Sequence, residues 1–454
     1  MSDRTEFDLI IVGAGPAGVS AAIEATGHGL SVLCLDEADA PGGRIWQALE
    51  RRTPADDDDR AALDLLRQFR ACPVDARFHA AVWAIEADGT VFWTCDGRAR
   101  SARGARILLA TGTTERPMPL PGWTLPGVMT VGAAQIVLKT SGLVPDGATW
   151  LAGQGPLLLL YAVQALRAGG RIAGILDVTD RAARMRALAR LPLRAIEDIR
   201  KGLAWQQEIA RAGVPWYRAS DIRAGGDEHL AHVSFTTGGT RRTEPADLLL
   251  LHDGVQPSVQ ITRALGCAHA FTPAQRYWKP VTDAWGVTSL DNVMVAGDGA
   301  GIGGALAATV SGRLAALAVA HALGRIDTAA RDAAAVPLQR MQRRHHAIRP
   351  FLDALYAPVR AALDDETLVC RCEEVTAGQI RAAARSGCLG LNQLKAFTRC
   401  GMGPCQGRMC GATAAEVMAA ARDVPVEEIE PFRTRFPTRR LTVGELAEFS
   451  ATGR

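Results

Sequence analysis

The run Cys370-Arg371-Cys372 is answered further along the chain by Gly401-Met402-Gly403-Pro404-Cys405-Gln406-Gly407-Arg408-Met409-Cys410. Two thiols one residue apart, with two more in a glycine-rich loop, can together surround a small inorganic centre. Four thiolates are what a [2Fe-2S] cluster requires, and they satisfy a tetrahedral zinc ion as well. The Cys-x-Cys and Cys-x4-Cys spacings occur for both. Gly401, Gly403, Gly407 and Gly411 leave backbone N–H groups free to approach the sulfurs. With Arg371 and Arg408 close by, they would raise the potential of a cluster. Cys388 follows the glycine of an expected inter-helix turn and has no pairing spacing. The remaining four cysteines, Cys34, Cys72, Cys95 and Cys267, are scattered and are expected as small core residues.

A second kind of chemistry is written near the N-terminus. Residues 7–12, Phe-Asp-Leu-Ile-Ile-Val, predict a buried parallel strand that runs into Gly13-Ala14-Gly15-Pro16-Ala17-Gly18 and an alanine-rich helix. Gly13 permits the tight turn, Gly15 lets the backbone approach a pyrophosphate, and Gly18 allows close helix–strand packing. The helix N-terminus then faces the phosphates. A second strand over 31–35 ends in Asp36-Glu37, where an acid can accept hydrogen bonds from a ribose. A bound dinucleotide makes iron the more useful occupant of the four thiolates, since a redox neighbour gives a cluster something to exchange electrons with.

The glycine signature recurs. A strand over 149–152 leads into Gly153-Gln154-Gly155-Pro156-Leu157-Leu158, where Leu158 replaces the third glycine. That substitution spoils the closest helix–strand contact but not the phosphate turn. A following strand ends at Asp177, which would favour NAD over NADP. The expectation is an adenine nucleotide, ATP or NAD, bound here without being the main electron entry. Strands at 107–109 and 293–296 run into Ala110-Thr111-Gly112 and Gly297-Asp298-Gly299. The latter returns only after the second glycine turn, so one nucleotide domain is inserted in another. The expected division is 1–117 with 246–328 for the first nucleotide domain and 118–245 for the inserted one. A helical linker follows at 329–366, the cysteine module at 367–422 and a tail at 423–454. Within the cysteine module, Thr376-x-x-Gln379 predicts a capping box that opens a helix. Within the linker, His345-His346 is expected on a solvated basic face, because adjacent residues do not share a helix face.

A net charge of +3 on 454 residues argues against nucleic acid as a partner. No apolar stretch is expected to reach the ~18–20 residues of a membrane span, and residues 1–8 do not read as a secretory signal. Ten cysteines without such a signal imply a reducing compartment, the cytoplasm.

The Ala110-Thr111-Gly112 and Gly297-Asp298 runs resemble the ATG and GD motifs of the two-dinucleotide-binding flavoproteins. Their fold is α/β, with nested Rossmann-like domains. This resemblance implies FAD at the first site, with Asp298 near the ribityl chain. Pro41-Gly42-Gly43-Arg44 resembles the family's glycine turn beside the flavin, with Arg44 in place of the common Gln. Residues 367–422 resemble the small helical [2Fe-2S] domain of bacterioferritin-associated ferredoxins. That resemblance implies Cys370, Cys372, Cys405 and Cys410 as ligands and leaves Cys400 outside the set. The combination resembles the FAD/[2Fe-2S] subunits of heteromeric amino- and imino-acid dehydrogenases: opine oxidase, hydrogen cyanide synthase, and dye-linked proline and D-hydroxyproline dehydrogenases. It implies a D-amino-acid-oxidase-like partner subunit that oxidises substrate on its own flavin. It also implies a small [2Fe-2S] subunit, with attachment to the inner face of the membrane only through the complex. No acid–base or nucleophile constellation remains for a catalytic role in this chain. The alternative is a self-contained NAD(P)H-dependent FAD/[2Fe-2S] reductase.

Overall fold

Strand Glu6–Val12 buries both faces of its Leu-Ile-Ile-Val run, as a central parallel strand must. It pairs with Val32–Leu35 on one side and Arg98–Leu109 on the other. The first half of Arg98–Leu109 pairs antiparallel with Thr90–Cys95, and its end receives Val293–Val295, with Leu109 beside Val295. The strands that end in the three sequence motifs therefore lie side by side. The computed structural model describes residues 5–192, 195–358 and 363–452. The start of the N-terminal run, residues 359–362 of the expected linker and the last two residues of the tail lie outside them.

Helices Pro16–Gly27 and Ala305–Ala322 cover one face of this sheet. A Cβ on Gly312 would stand 2.1 Å from the Ala17 carbonyl oxygen, so the two helices touch backbone to backbone. Ala305–Ala322 corrects one expectation. With 18 residues and a mean hydropathy of 1.4, it is long and apolar enough to cross a bilayer. Its residues are instead mostly buried in the core, where a helix that is apolar all round belongs.

The inserted domain has a parallel sheet in the order Trp216–Arg218, Gly174–Asp177, Thr149–Gln154, Leu248–Asp253, Val128–Thr130. The boundary expected after 245 falls before Leu248–Asp253, yet that strand completes the inserted sheet, with Leu251 beside Ala152. The chain crosses back only at the two-stranded link Thr113–Glu115 with Val255–Pro257.

Helices Thr328–His346 and Arg349–Leu355 lead towards the cysteine module. The module has its own core, built from Val369, Ile380, Leu391, Leu394 and Met418 around the cysteines. Thr376 and Gln379 form the expected capping box on helix Ala377–Arg385. The segment expected as a tail belongs to the fold. Phe432 is buried against Gly401 and Gly407, and Thr438 donates its N–H to the Trp83 carbonyl (2.8 Å). Trp123 Nε1 donates to the Leu368 carbonyl (2.8 Å), and Arg371 lies over the Trp123 ring. Glu416 accepts from Arg276 Nε at 2.9 Å and lies 3.8 Å from the buried Arg116. Glu416→Ala would leave those two guanidinium groups uncompensated at the interface. It is expected to destabilise the docked module by about 3 kcal/mol, read as a lower midpoint for its release in urea and faster limited proteolysis.

Candidate functional site

At Gly13 the backbone has φ +107°, and a Cβ there would stand 2.4 Å from the Ala110 carbonyl oxygen. A Cβ on Gly18 would stand 1.8 Å from Gly13 O, and one on Gly43 2.9 Å from Gly15 Cα. The two glycine turns and the Ala110 strand end thus close on one another as only glycine permits. They border a groove of about 1570 Å³. Gly13, Gly15, Pro16 and Ala17 line it on one side, Asp36, Glu37, Gly43 and Arg44 on another, and Ala110, Thr111, Gly112, Gly297 and Asp298 on a third. Every residue expected at the first site is present except Gly18, which packs beneath it. The missing Cβ atoms leave the cradle that a dinucleotide's backbone fills, so the residues fit the group the sequence implies.

The acids are held in place. Asp36 accepts from Ala14 N (2.5 Å) and Ala38 N (2.7 Å). Burial pushes its carboxyl above the usual range, and these two bonds oppose the rise. Asp298 Oδ1 accepts from Gly303 N and Gly304 N, both at 2.8 Å, and so fixes the turn before Ala305–Ala322. His346, expected on a solvated face, abuts Gly303 beside this aspartate, and burial lowers its pKa. Sequence reasoning also missed three wall residues, Arg408 from the cysteine loop and Thr438 and Arg439 from the C-terminal segment. Local patterns carry no signal for them, because they arrive through tertiary docking.

The second glycine turn is built as expected, with φ +136° at Gly153 and +109° at Gly155. Leu158 is buried, and Pro156 opens the helix Pro156–Arg167 without lining the cleft. That cleft, about 740 Å³, is bordered by Gly153, Gly155 and Asp177, with Leu355 and Tyr356 of the linker. The Asp177 carboxylate is already engaged by Thr179 N (2.8 Å), Arg184 Nη2 (2.5 Å) and Trp216 Nε1 (3.1 Å). A ribose there would have to share these donors. Beneath the turn, the buried His252 places Nδ1 2.5 Å from Glu115 Oε1.

The thiols converge as well. The Sγ atoms of Cys370, Cys400 and Cys410 lie within 4.8 Å of one another, all buried. Cys372 is exposed and hydrogen-bonded to Cys405, which in turn bonds Cys410. Cys400, expected to stand outside the ligand set, is therefore brought among the other four. Arg399 takes a left-handed conformation (φ +61°) that ends helix Leu391–Thr398 and turns Cys400 inward. Spacing alone does not reveal that turn. Contact with Cys400 and Cys410 pulls the Cys370 thiol far down, and contact with Cys370 pushes Cys400 and Cys410 up. Backbone N–H groups of Gly401 and Glu373 point to Cys370, and those of Met409 and Gly407 to Cys405. Thiols this crowded cannot all ionise without a cation between them, so the donor set fits a thiolate-bound metal centre. Cys388 stays apart, with Sγ to Gly390 O at 3.4 Å. Cys34 and Cys267 are buried as expected, and Cys72 and Cys95 only partly.

The family model for pyridine nucleotide-disulphide oxidoreductases matches residues 7–324, and the sarcosine oxidase A3 domain matches 364–449. One opine oxidase subunit of Rhizobium meliloti is 42% identical, over 100% of this chain and 90% of the relative. The hydrogen cyanide synthase subunit HcnB of Pseudomonas aeruginosa is 33% identical over 88% and 90%. Each of these relatives is one subunit of a multi-subunit oxidoreductase. Among solved structures, the L-proline dehydrogenase of P. horikoshii superposes with a TM-score of 0.72 at 19% identity, over 98% of this chain and 80% of that one, which shows a shared fold. The chain is thus an oxidoreductase of the two-dinucleotide flavoprotein fold that belongs to the pyridine nucleotide-disulphide oxidoreductase family, in the group that contains the opine oxidase and hydrogen cyanide synthase flavoprotein subunits.

Proposed function

We propose that this chain is the electron-transfer subunit of a heteromeric amino- or imino-acid dehydrogenase or oxidase. It would hold FAD in the first groove and a [2Fe-2S] cluster on the cysteine module. The observation that carries the reading is the docking of a converged thiol cluster against the dinucleotide groove, with Arg408, between Cys405 and Cys410, reaching the groove wall. Bound FAD accepts electrons in pairs and the cluster passes them singly, so together they link substrate oxidation to one-electron acceptors. Gly13, Gly15, Pro16 and Ala17 would cradle the pyrophosphate and Asp36 and Glu37 the ribose, with Gly43, Arg44, Gly297 and Asp298 towards the flavin end. The names of the relatives support a partner subunit. We assign it the substrate-oxidising, D-amino-acid-oxidase-like role, and a small [2Fe-2S] subunit would be a further component. All ten cysteines are free thiols, which suits the cytoplasm. The complex would bring any contact with the inner face of the membrane.

Cys370, Cys372, Cys405 and Cys410 are the proposed ligands, with Cys400 close enough to compete. Serine at any of the four is expected to abolish or shift the EPR signal of the reduced cluster, and Cys400→Ala to leave it nearly intact. Loss of signal in Cys400→Ala with retention in Cys410→Ala would put Cys400 in the set instead, and zinc without iron in the purified protein would replace the cluster altogether. The second glycine turn would hold an adenine nucleotide without admitting electrons, since donors already saturate Asp177 and Tyr356 borders the cleft. Calorimetry is expected to show ATP, ADP or NAD binding while NADH leaves the flavin oxidised; rapid bleaching by NADH would favour a self-contained reductase. Finally, substrate-dependent dye reduction is expected only when the partner subunit is present. Full proline, hydroxyproline or opine oxidation by this chain alone would overturn the reading.

A further inference from the structure

Arg408 sits in the cysteine loop, yet its side chain leaves that loop. Nη1 donates to the carbonyl of Cys405 (3.3 Å) and Nη2 to the carbonyl of Thr438 in the C-terminal segment. From there it lines the dinucleotide groove together with Arg439, on the side of Glu37. Its partners are carbonyl oxygens, and among the described residues it forms no ion pair. Glu37, the nearby acid, is already held by Arg439 and, at 3.6 Å, by Arg44. Asp36 is turned into the N–H groups of Ala14 and Ala38. Three guanidinium groups thus meet two engaged carboxylates at the rim of a groove that also receives the N-terminal end of helix Pro16–Gly27.

A half-buried guanidinium without a counter-ion is costly unless an anion completes the site. A phosphate group does so well, because the planar fork offers it two parallel donors. We infer that Arg408, with Arg439 beside it, binds the anionic ribose–diphosphate segment of the dinucleotide, so that the cysteine module supplies part of the flavin site. The inference rests on FAD occupying the first groove. It assigns the arginine of the cysteine loop to the neighbouring cofactor as a binding residue and gives it no part in ligating the cluster. Its side chain also ties the carbonyl of Cys405 to the groove, so the loop around the thiols and the wall of the flavin site share one group.

The test is an FAD titration of flavin-stripped protein. Arg408→Met is expected to weaken FAD binding roughly tenfold and to flatten the loss of affinity with added salt. Arg408→Lys should recover part of the affinity, and Arg439→Met should show a smaller loss, since Glu37 already neutralises that group. The EPR signal of the reduced cluster and the thermal unfolding midpoint serve as controls that the loop is still folded. If Arg408→Met folds and binds FAD with wild-type affinity and salt dependence, the inference is wrong while the flavin reading stands. If wild-type protein takes up no FAD, or Gly15→Val takes it up normally, the flavin reading itself fails and the inference falls with it.

Discussion

The contact of backbones around Gly13 governs this molecule. The Ala110 carbonyl, the Gly13 turn, the Gly43 turn and Gly297 stand so close that side chains are excluded from all of them. Gly312 repeats the device one layer further out, where the helix Ala305–Ala322 presses on Ala17. These approaches bring three strand ends and one helix start to a single line. Backbone donors can then meet an anion there without any side chain having to move. The residues that follow each strand, Asp36, Thr111 and Asp298, acquire their positions from that line rather than from their own surroundings.

The cysteine module answers a different constraint. A cluster of thiols is stable only when its charges are shared, and sharing needs a loop whose N–H groups point inwards. Gly401 and Gly407 supply such groups, at positive φ, and Phe432 closes over both glycines from the C-terminal segment. The loop is therefore finished by a segment that the sequence presents as a tail. That same segment carries Thr438 and Arg439 to the flavin sheet, so one stretch of chain both closes the thiol cage and walls the dinucleotide groove.

Much of this is legible in the sequence because its signals are local. Glycine turns after apolar strands, an acid at the next strand end, a Thr-x-x-Gln cap and paired cysteines each depend on residues within one turn or one strand. What is not legible depends on distant backbone. Leu248–Asp253 reads as apolar wherever it sits, and only its pairing with Thr149–Gln154 assigns it to the inserted domain. The apolar helix Ala305–Ala322 carries a single arginine, Arg313, and its composition alone does not separate a core helix from a spanning one. Comparison of spacings sets Cys400 aside, yet a left-handed Arg399 turns it towards Cys370. Arg408 belongs to a recognisable motif, but which way it points follows from docking.

The two glycine turns show how one local pattern can support two different sites. Both have the strand, the turn and the helix that opens with proline. In the first, the acid at the next strand end bonds backbone N–H groups and the groove stays open, with cations arriving from two other parts of the chain. In the second, Asp177 is taken by Arg184 and Trp216, and the linker lays Tyr356 at the mouth while Gln154 bonds the Ala357 carbonyl. The linker that borders this second cleft is the one that leads to the cysteine module. A nucleotide entering there would press on the segment that positions the thiols, whereas a dinucleotide in the first groove meets the module directly through its loop. The same fold element thus faces the cluster by contact on one side and through a helix on the other.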